Sequence, residues 1–331
     1  MTPVALIYTV IALWLAAYGL NAFILLFLYI RNGHTPAPTP TVERDALPTV
    51  TVQVPVYNER HVIERVIDAV AALDYPSDRL QIQILDDSTD ETTALARKRA
   101  ALYEMEGLDI AVVRRPDRQD FKAGALSWGL ETARGDFIAI FDADFRPHPD
   151  FLLRTVPHFC GRPRLGLVQT RWSHLNSDYS PLTRAQAIAF DGHFVVEQTS
   201  RDRSGLLMNF NGTAGVWRKS CIEESGGWQF TTLSEDLDLS YRAQLEGWET
   251  LYLLRVDAPA ELPPQMAAFK RQQARWTQGS VQTLRKLIGP ILRSPRLNLR
   301  QKGMALLHLS GYLAHALMVL LLLATLPLLL L

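Results

Sequence analysis

Three acidic groups and one mixed polar group stand at separated points of the chain: Asp86-Asp87, Asp142-Ala143-Asp144, Glu235-Asp236 and Gln272-Gln273-Ala274-Arg275-Trp276. The first two each follow a short apolar run, residues 82–85 and 137–141. Such runs read as buried strands of a parallel sheet, and open α/β sheets bind ligands beyond the carboxyl ends of their strands. Two carboxylates on one side of an extended segment suit a hard divalent cation whose other ligands are phosphate oxygens and water. Asp142 and Asp144 have that spacing, although a loop Asx-turn is a plainer account of the tripeptide. Asp86 to Asp90 reads as a turn with a helix cap, or as the start of aspartyl-phosphate chemistry. Ser234 followed by Glu235 and Asp236 is what a helix start favours electrostatically. Asp236 is equally a candidate base for a reaction that must take a proton from a hydroxyl. Gln272, Arg275 and Trp276, at spacings of three and four, should share a helix face. Amide, guanidinium and indole together suit a diphosphate beside a sugar ring; a half-buried Trp with a snorkelling Arg is the alternative.

The elements that must position these groups alternate. Strands are expected over 49–56, 81–85, 110–113 and 137–141, with helices over 59–73, 91–106 and 123–132 between them. Thr89 or Asp90 should cap the helix that stops at Gly107. Regular alternation of this length implies a parallel sheet with right-handed crossovers. Neither Gly-x-Gly-x-x-Gly nor a Walker loop is present, which counts against dinucleotide oxidoreductases and P-loop kinases. The second half is less regular: a strand over 165–169, a helix over 182–196, a loop over 210–217 with Gly212 and Gly215, a helix from Ser234 to about Gly247, a strand over 250–254 and a long helix over 264–287.

Lys plus Arg, 34, equals Asp plus Glu, 34, so no basic field invites nucleic acid. The charge lies in the middle of the chain. Residues 1–30 carry no charged side chain, with Asn21 the strongest polar interruption, and exceed the roughly 20 residues a membrane-spanning helix needs. Arg31, His34 and Arg44 follow, which puts the next segment in the cytoplasm. Residues 31–48 read as a Pro/Thr-rich linker. Residues 303–331 are again free of charge and follow Arg285, Lys286, Arg293, Arg296, Arg300 and Lys302, so a second span returning outward is expected, ending inside an apolar run as a truncated chain would. Residues 288–299 have the composition of a segment lying on an anionic membrane face. Cys160 and Cys221 read as two reduced thiols.

Seven segments in order resemble the processive glycosyltransferases of family 2, and within them the cellulose-synthase-like branch that makes mannan, glucomannan or glucan. They are Gln53 to Glu59, Leu85 to Asp90, Phe121 to Leu126, Phe141 to Phe145, Phe210 to Gly215, Ser234 to Asp236 and Gln272 to Trp276. The resemblance covers residues 49 to 279. It implies a GT-A fold, an α/β domain with a Rossmann-like, mixed but mainly parallel sheet, on the cytoplasmic side of the inner or plasma membrane and flanked by transmembrane helices in a multi-pass protein. The implied division is a membrane helix over 1–30, a linker over 31–48, the transferase domain over 49–260, the Gln/Arg/Trp helix and interfacial segment over 261–302, and a second membrane helix over 303–331.

The resemblance further implies roles. Asp87 would grip the base or ribose, in a nucleotide pocket shared with Val54, Tyr57, Asn58, Glu59 and Lys122. Asp142 and Asp144 would hold Mg²⁺ or Mn²⁺ with the donor diphosphate, Asp144 making the direct contact. Asp236 would be the acceptor base, and Gln272, Arg275 and Trp276 would grip the leaving diphosphate and acceptor end. Phe210, Asn211, Gly212, Thr213, Glu235 and Trp276 would form the acceptor site. Ser234 replaces the family's usual Thr and is expected to keep the hydroxyl cap. The implied activity is inverting hexosyl transfer from a nucleotide sugar, UDP-glucose or GDP-mannose, to a growing β-linked polysaccharide, with an export subunit or oligomer as possible partners. Transfer of a single sugar to a lipid acceptor is the alternative, and either enzyme would work against membrane lipids.

Overall fold

The computed structural model describes residues 3–33, 37, 38 and 40–329. Its centre is a seven-stranded sheet built from β1 (Val50–Val56), β2 (Leu80–Asp86), β3 (Asp109–Val113), β4 (Phe137–Ile140), β5 (Leu165–His174), β6 (Gly215–Arg218) and β7 (Glu249–Ala260). The spatial order is β3-β2-β1-β4-β6-β5-β7. β1 pairs in parallel with both β2 and β4, β2 with β3, and β5 with β7, whereas β6 runs antiparallel to β4 and β5.

The side chains of the sheet are thereby sorted into two faces. Phe137, Ala139 and Phe141 pack with Val50, Val52, Val54 and Val56 on one face, while Ile138 and Ile140 pack with Leu167 and Trp217 on the other. This is the two-residue period of a strand buried on both sides. Between the valines of β1, Thr51 and Gln53 are also buried and find partners sideways: Thr51 Oγ1 donates to Gln81 Oε1 at 2.8 Å, and Gln53 Nε2 to Gln83 Oε1 at 3.0 Å.

The helices before the irregular half are α1 (Pro3–Asn32), α2 (Ile63–Ala71), α3 (Thr92–Met105), α4 (Phe121–Thr132) and α5 (Phe151–Thr155). Asp90 Oδ1 accepts the Thr92 N–H at 3.0 Å to start α3, and Gly107 ends the turn after it at φ +92°. The chain leaves β1 through α2 to β2 on one side and returns to β4 on the other, so the sheet has its topological switch point between β1 and β4. The segments beyond those two strand ends are Tyr57-Asn58-Glu59 and Asp142-Ala143-Asp144.

The later helices are α6 (Pro181–Asp191), which continues through a π-helical turn (Gly192–Gln198) into α7 (Thr199–Arg203), then α8 (Lys219–Glu224), α9 (Glu235–Leu245), α10 (Met266–Arg293), α11 (Leu299–Leu309) and α12 (Leu313–Leu329). Four features depart from expectation. The segment 210–217 is a loop only as far as Ala214, after which Val216 and Trp217 form the antiparallel strand β6, buried between β4 and β5. Ser234 stands at the start of α9 but makes no side-chain cap; its hydroxyl instead fills the space beside Gly279 of α10. Residues 288–293 belong to α10 rather than to a separate interfacial segment.

The last departure concerns the membrane. α1 is long and apolar enough to cross a bilayer and is mostly exposed, but α11 and α12 qualify only together, with a bend of 71° at Ser310–Tyr312. A straight second span over 303–331 is therefore not what the chain forms among the described residues, and His34 and the final two residues lie outside them. Tyr18 of α1 ties this end together, donating to the Ser310 carbonyl at 2.9 Å.

Candidate active site

Asp142 leaves β4 in a position fixed by the loop 210–214. Its backbone N–H donates to Thr213 Oγ1 at 2.9 Å, and the Ala214 N–H donates to the Ile140 carbonyl at 2.8 Å. Lys122, in the first turn of α4, reaches across to Asp142 Oδ1 at 2.5 Å and to the Gly212 carbonyl at 2.9 Å. Gly212 sits at φ +83°, and a Cβ there would lie 3.0 Å from Asp236 Oδ2 and 3.4 Å from Lys122 Nζ. Only glycine lets the backbone pass between a carboxylate and an ammonium so closely. Lys122, Asp142, Gly212, Thr213 and Asp236, drawn from four distant segments, thus meet at one point.

The electrostatics follow from this crowding. Burial, and then Asp142, push the Asp144 carboxyl up to about 7. Burial, and then Glu235, do the same to Asp236, also to about 7. Glu235 is raised by burial in spite of the opposing charges of Lys122 and Arg275. Glu59, exposed at the rim, is raised by the protein around it and by Asp142 and Asp90. Burial works against the Lys122 ammonium, but Asp142, Glu235 and Asp236 outweigh it and hold its pKa above the ordinary value. Clustered carboxylates with raised pKa values beside one lysine make this a candidate functional site.

No three His, Cys, Asp or Glu side chains among the described residues group as a complete metal cage. The donor set fits a different arrangement: the mutual repulsion of Asp142 and Asp144 is the kind that a hard cation relieves, with phosphate oxygens completing its shell.

Beyond β2, Asp87 is clamped by Arg115, whose Nε and terminal NH₂ meet the two carboxylate oxygens at 2.8 and 2.6 Å. The same guanidinium donates to the Phe121 carbonyl at 2.8 Å, so Asp87 and the start of α4 are held together. Asn58, left-handed at φ +56°, receives the Thr89 N–H at 2.9 Å and donates its own N–H to Ser88 Oγ at 2.9 Å. Arg118 stacks over the Tyr57 ring at 3.3 Å. Tyr57, Asn58 and Asp87 therefore line the ends of β1 and β2 as a group, while Val54 is buried inside β1 with the core of that sheet face. Lys122 lies with Asp142 and Asp236, on the catalytic side of this group.

Asp236 also opens onto a cavity of about 660 Å³ that runs between α6, α10 and the apolar helices. Trp276 lines it together with Phe269, Gln273 and Ser280, and its ring lies 5.8 Å from that of Phe190. Of Gln272, Arg275 and Trp276, which share one side of the continuous helix α10, Trp276 alone is part of this lining. Gln272 Oε1 is buried without a hydrogen-bond partner among the described residues, and Arg275 acts on Glu235. Phe210 is wholly buried against Trp217 and Trp228, so it supports the loop rather than lining the cavity, while Asn211 is part of the lining. Arg115 and Arg118 were not expected at the site. Nor were Tyr18 and Asn21 of α1 and His193 and Glu197 of the π-helical turn, all of which line the cavity.

Comparison with known proteins agrees with this geometry. The profile of "Glycosyltransferase like family 2" matches residues 48–279. A probable glucomannan 4-beta-mannosyltransferase of Oryza sativa subsp. japonica is 43% identical over 270 residues, 80% of this chain and 49% of the relative. A glucomannan 4-beta-mannosyltransferase of Arabidopsis thaliana is 44% identical over 259 residues, 77% of this chain and 47% of its own. The chain spans about half the length of the curated relatives it matches. Among solved structures, the mannosyltransferase PcManGT of Pyrobaculum calidifontis, in complex with GDP-Man and Mn²⁺, superposes with a TM-score of 0.69 at 24% identity, covering 93% of this chain and 86% of that one. TarS of S. aureus in complex with UDP-GlcNAc does so at 0.57 and 15% identity, covering 80% and 72%. The structural likenesses establish the GT-A-like fold, and the profile and sequence relatives establish the family. The chain is a member of glycosyltransferase family 2.

Proposed function

We propose that this chain transfers a mannosyl unit from GDP-mannose to a hydroxyl of a β-1,4-linked polysaccharide. The sugar and linkage are taken from the names of the relatives at 43–44% identity, and the nucleotide from the solved mannosyltransferase in complex with GDP-Man; the observation that carries the reaction type is the meeting of Asp236, Lys122 and Asp142 around Gly212. Tyr57, Asn58 and Asp87 would bind the nucleoside at the switch point of the sheet, with Glu59 at its rim. Asp144 and Asp142 would hold Mg²⁺ or Mn²⁺, which when bound supplies positive charge against the donor diphosphate. Asp236 takes the proton of the acceptor hydroxyl, and that oxygen displaces the diphosphate at the sugar carbon with inversion. A carboxyl raised to about 7 is suited to this, since a base works best when its pKa lies near the operating pH. Arg275, close to Glu235, and Gln272 would steady the leaving diphosphate, and Trp276 would stack on the acceptor sugar as it enters the cavity.

The domain arrangement goes with this reading. The transferase domain, 49–260, would lie on the cytoplasmic face of the membrane, with α1 crossing it and the bent pair α11–α12 forming a broken second span after the 261–302 segment. The experiment is a donor panel: purified chain in lipid, Mn²⁺, a short β-1,4-mannan acceptor, and release of nucleoside diphosphate from GDP-mannose, UDP-glucose and UDP-GlcNAc in parallel. Acceptor-dependent release from GDP-mannose supports the proposal, and release from another donor alone overturns its donor.

A further inference from the structure

The cavity that continues from Asp236 is bounded on one side by the π-helical turn between α6 and α7, and this turn carries the half-buried His193 and Glu197. Its hydrogen bonds can be read in one direction only. The Phe210 carbonyl can only accept, and Asn209 Nδ2 approaches it at 3.3 Å, which fixes the orientation of the Asn209 amide. The same Nδ2 donates to Asn211 Oδ1 at 2.9 Å, which fixes the Asn211 amide in turn. Asn211 Oδ1 also lies 3.0 Å from His193 Nε2, so that ring nitrogen must donate. The other ring nitrogen, Nδ1, lies 3.0 Å from the Glu197 carboxylate.

Glu197 is ionised: burial opposes its charge, but Arg201 and the His193 hydrogen bond hold its carboxyl well below the usual range. His193 thus bridges the Asn211 amide oxygen and the Glu197 carboxylate through its two ring nitrogens. Asn211 is held elsewhere as well, since its backbone N–H donates to Gln169 Oε1 at 2.9 Å. Its Nδ2 has no protein partner among the described residues, and Asn211, His193, Glu197 and Asp236 all line the one cavity.

We infer that His193 is a positioning residue for the acceptor: clamped by Glu197, it fixes the side-chain amide of Asn211 so that its NH₂ meets a hydroxyl of the acceptor sugar next to the one that reacts at Asp236. This rests on the transferase reading and adds to it a polar subsite, opposite Trp276, that recognises the hydroxyl-bearing edge of the chain while the indole takes its C–H face. The π-helical turn places His193 and Glu197 one helical step apart with both side chains turned to the cavity.

The test is steady-state kinetics of the full chain in lipid with GDP-mannose, Mn²⁺ and β-1,4-mannotetraose. His193→Phe keeps a ring but loses both ring nitrogens. It should raise the acceptor KM by roughly tenfold to a hundredfold, as removal of a charge-assisted hydrogen bond does, with kcat and donor KM changed far less. His193→Gln, whose amide can still donate to Asn211, should recover most of the loss. The double variant with Asn211→Ala should be no worse than Asn211→Ala alone, because both changes remove one interaction. Should His193→Phe fail to fold, Glu197→Gln carries the same test, since it releases the clamp and should also raise the acceptor KM. An unchanged acceptor KM, a loss shared equally by every kinetic constant, or multiplicative effects in the double variant would each overturn the inference. A wild-type chain without acceptor-dependent release would instead overturn the transferase reading on which it stands.

Discussion

At the scale of single residues, the proposed function depends on carboxylates kept close together against their preference for solvent and separation. Asp144 and Asp236 are each pushed up to about 7 from a usual value near 3.8. A carboxyl raised in the folded state adds stability in full below its unfolded value, and that contribution is lost as pH rises through the folded one. The acceptor-free, metal-free chain should therefore be less stable at pH 8 than at pH 6, and Asp144→Asn should raise its melting temperature at pH 8 by about 2 °C or more while abolishing its response to Mn²⁺. An unchanged melting temperature would show that the site carries no such cost. The same shift on Asp236 predicts that transfer rises with pH through an apparent value near 7, because only the ionised carboxylate can take the proton. Gly212→Ala should lose transfer about a hundredfold, since the added methyl meets Asp236 Oδ2 and Lys122 Nζ in a left-handed backbone. Much of this was legible beforehand. Asp-Asp and Asp-x-Asp after apolar runs announce strand ends, and Asp236 after a Ser announces a helix start. The His193–Glu197 pair was not, because two polar residues four apart on a helix look the same whether they face solvent or a cavity.

At the scale of elements, α10 closes the site against the start of α9. Gly279 leaves room for Ser234, so the hydroxyl expected to cap α9 is used for helix contact, and Lys286 adds an ion pair to Asp238 at 2.8 Å. Gly279→Val should push α10 away from Glu235 and Asp236 and lower kcat on the order of a hundredfold, with donor binding retained; near-normal kcat would show that α10 is not needed to assemble the site. The parallel strands were readable because their apolar residues alternate, as in β1 and β2, or run unbroken, as in β4. β6 was not, for it is short, begins at Gly215 just after Gly212 and runs antiparallel between β4 and β5. Residues 275 and 276 differ by about 100° around a helix, so Trp276 reaches the cavity while Arg275 acts on Glu235.

For the whole molecule, the apolar ends and the sheet domain form one working unit. α1 supplies Tyr18 and Asn21 to the cavity that Asp236 opens, so the polar interruption at Asn21 belongs to the site rather than to the bilayer. Composition showed where the apolar segments lie but not their shape. The uncharged stretch 303–331 reads as one span, yet Ser310-Gly311 breaks it and the two parts meet at 71°. Membrane fractions washed with alkaline carbonate should retain the full chain through α1; release into the wash would contradict a spanning α1.

The central claim is that scattered side chains converge on one sugar nucleotide with Asp236 as the acceptor base. Asp236→Asn tests it most directly, with GDP-mannose binding measured by calorimetry and acceptor-dependent GDP release measured on the same preparation. Donor affinity should stay unchanged and transfer should fall by about 10²–10⁴-fold. Normal transfer by this variant, or loss of donor binding together with transfer, would contradict it.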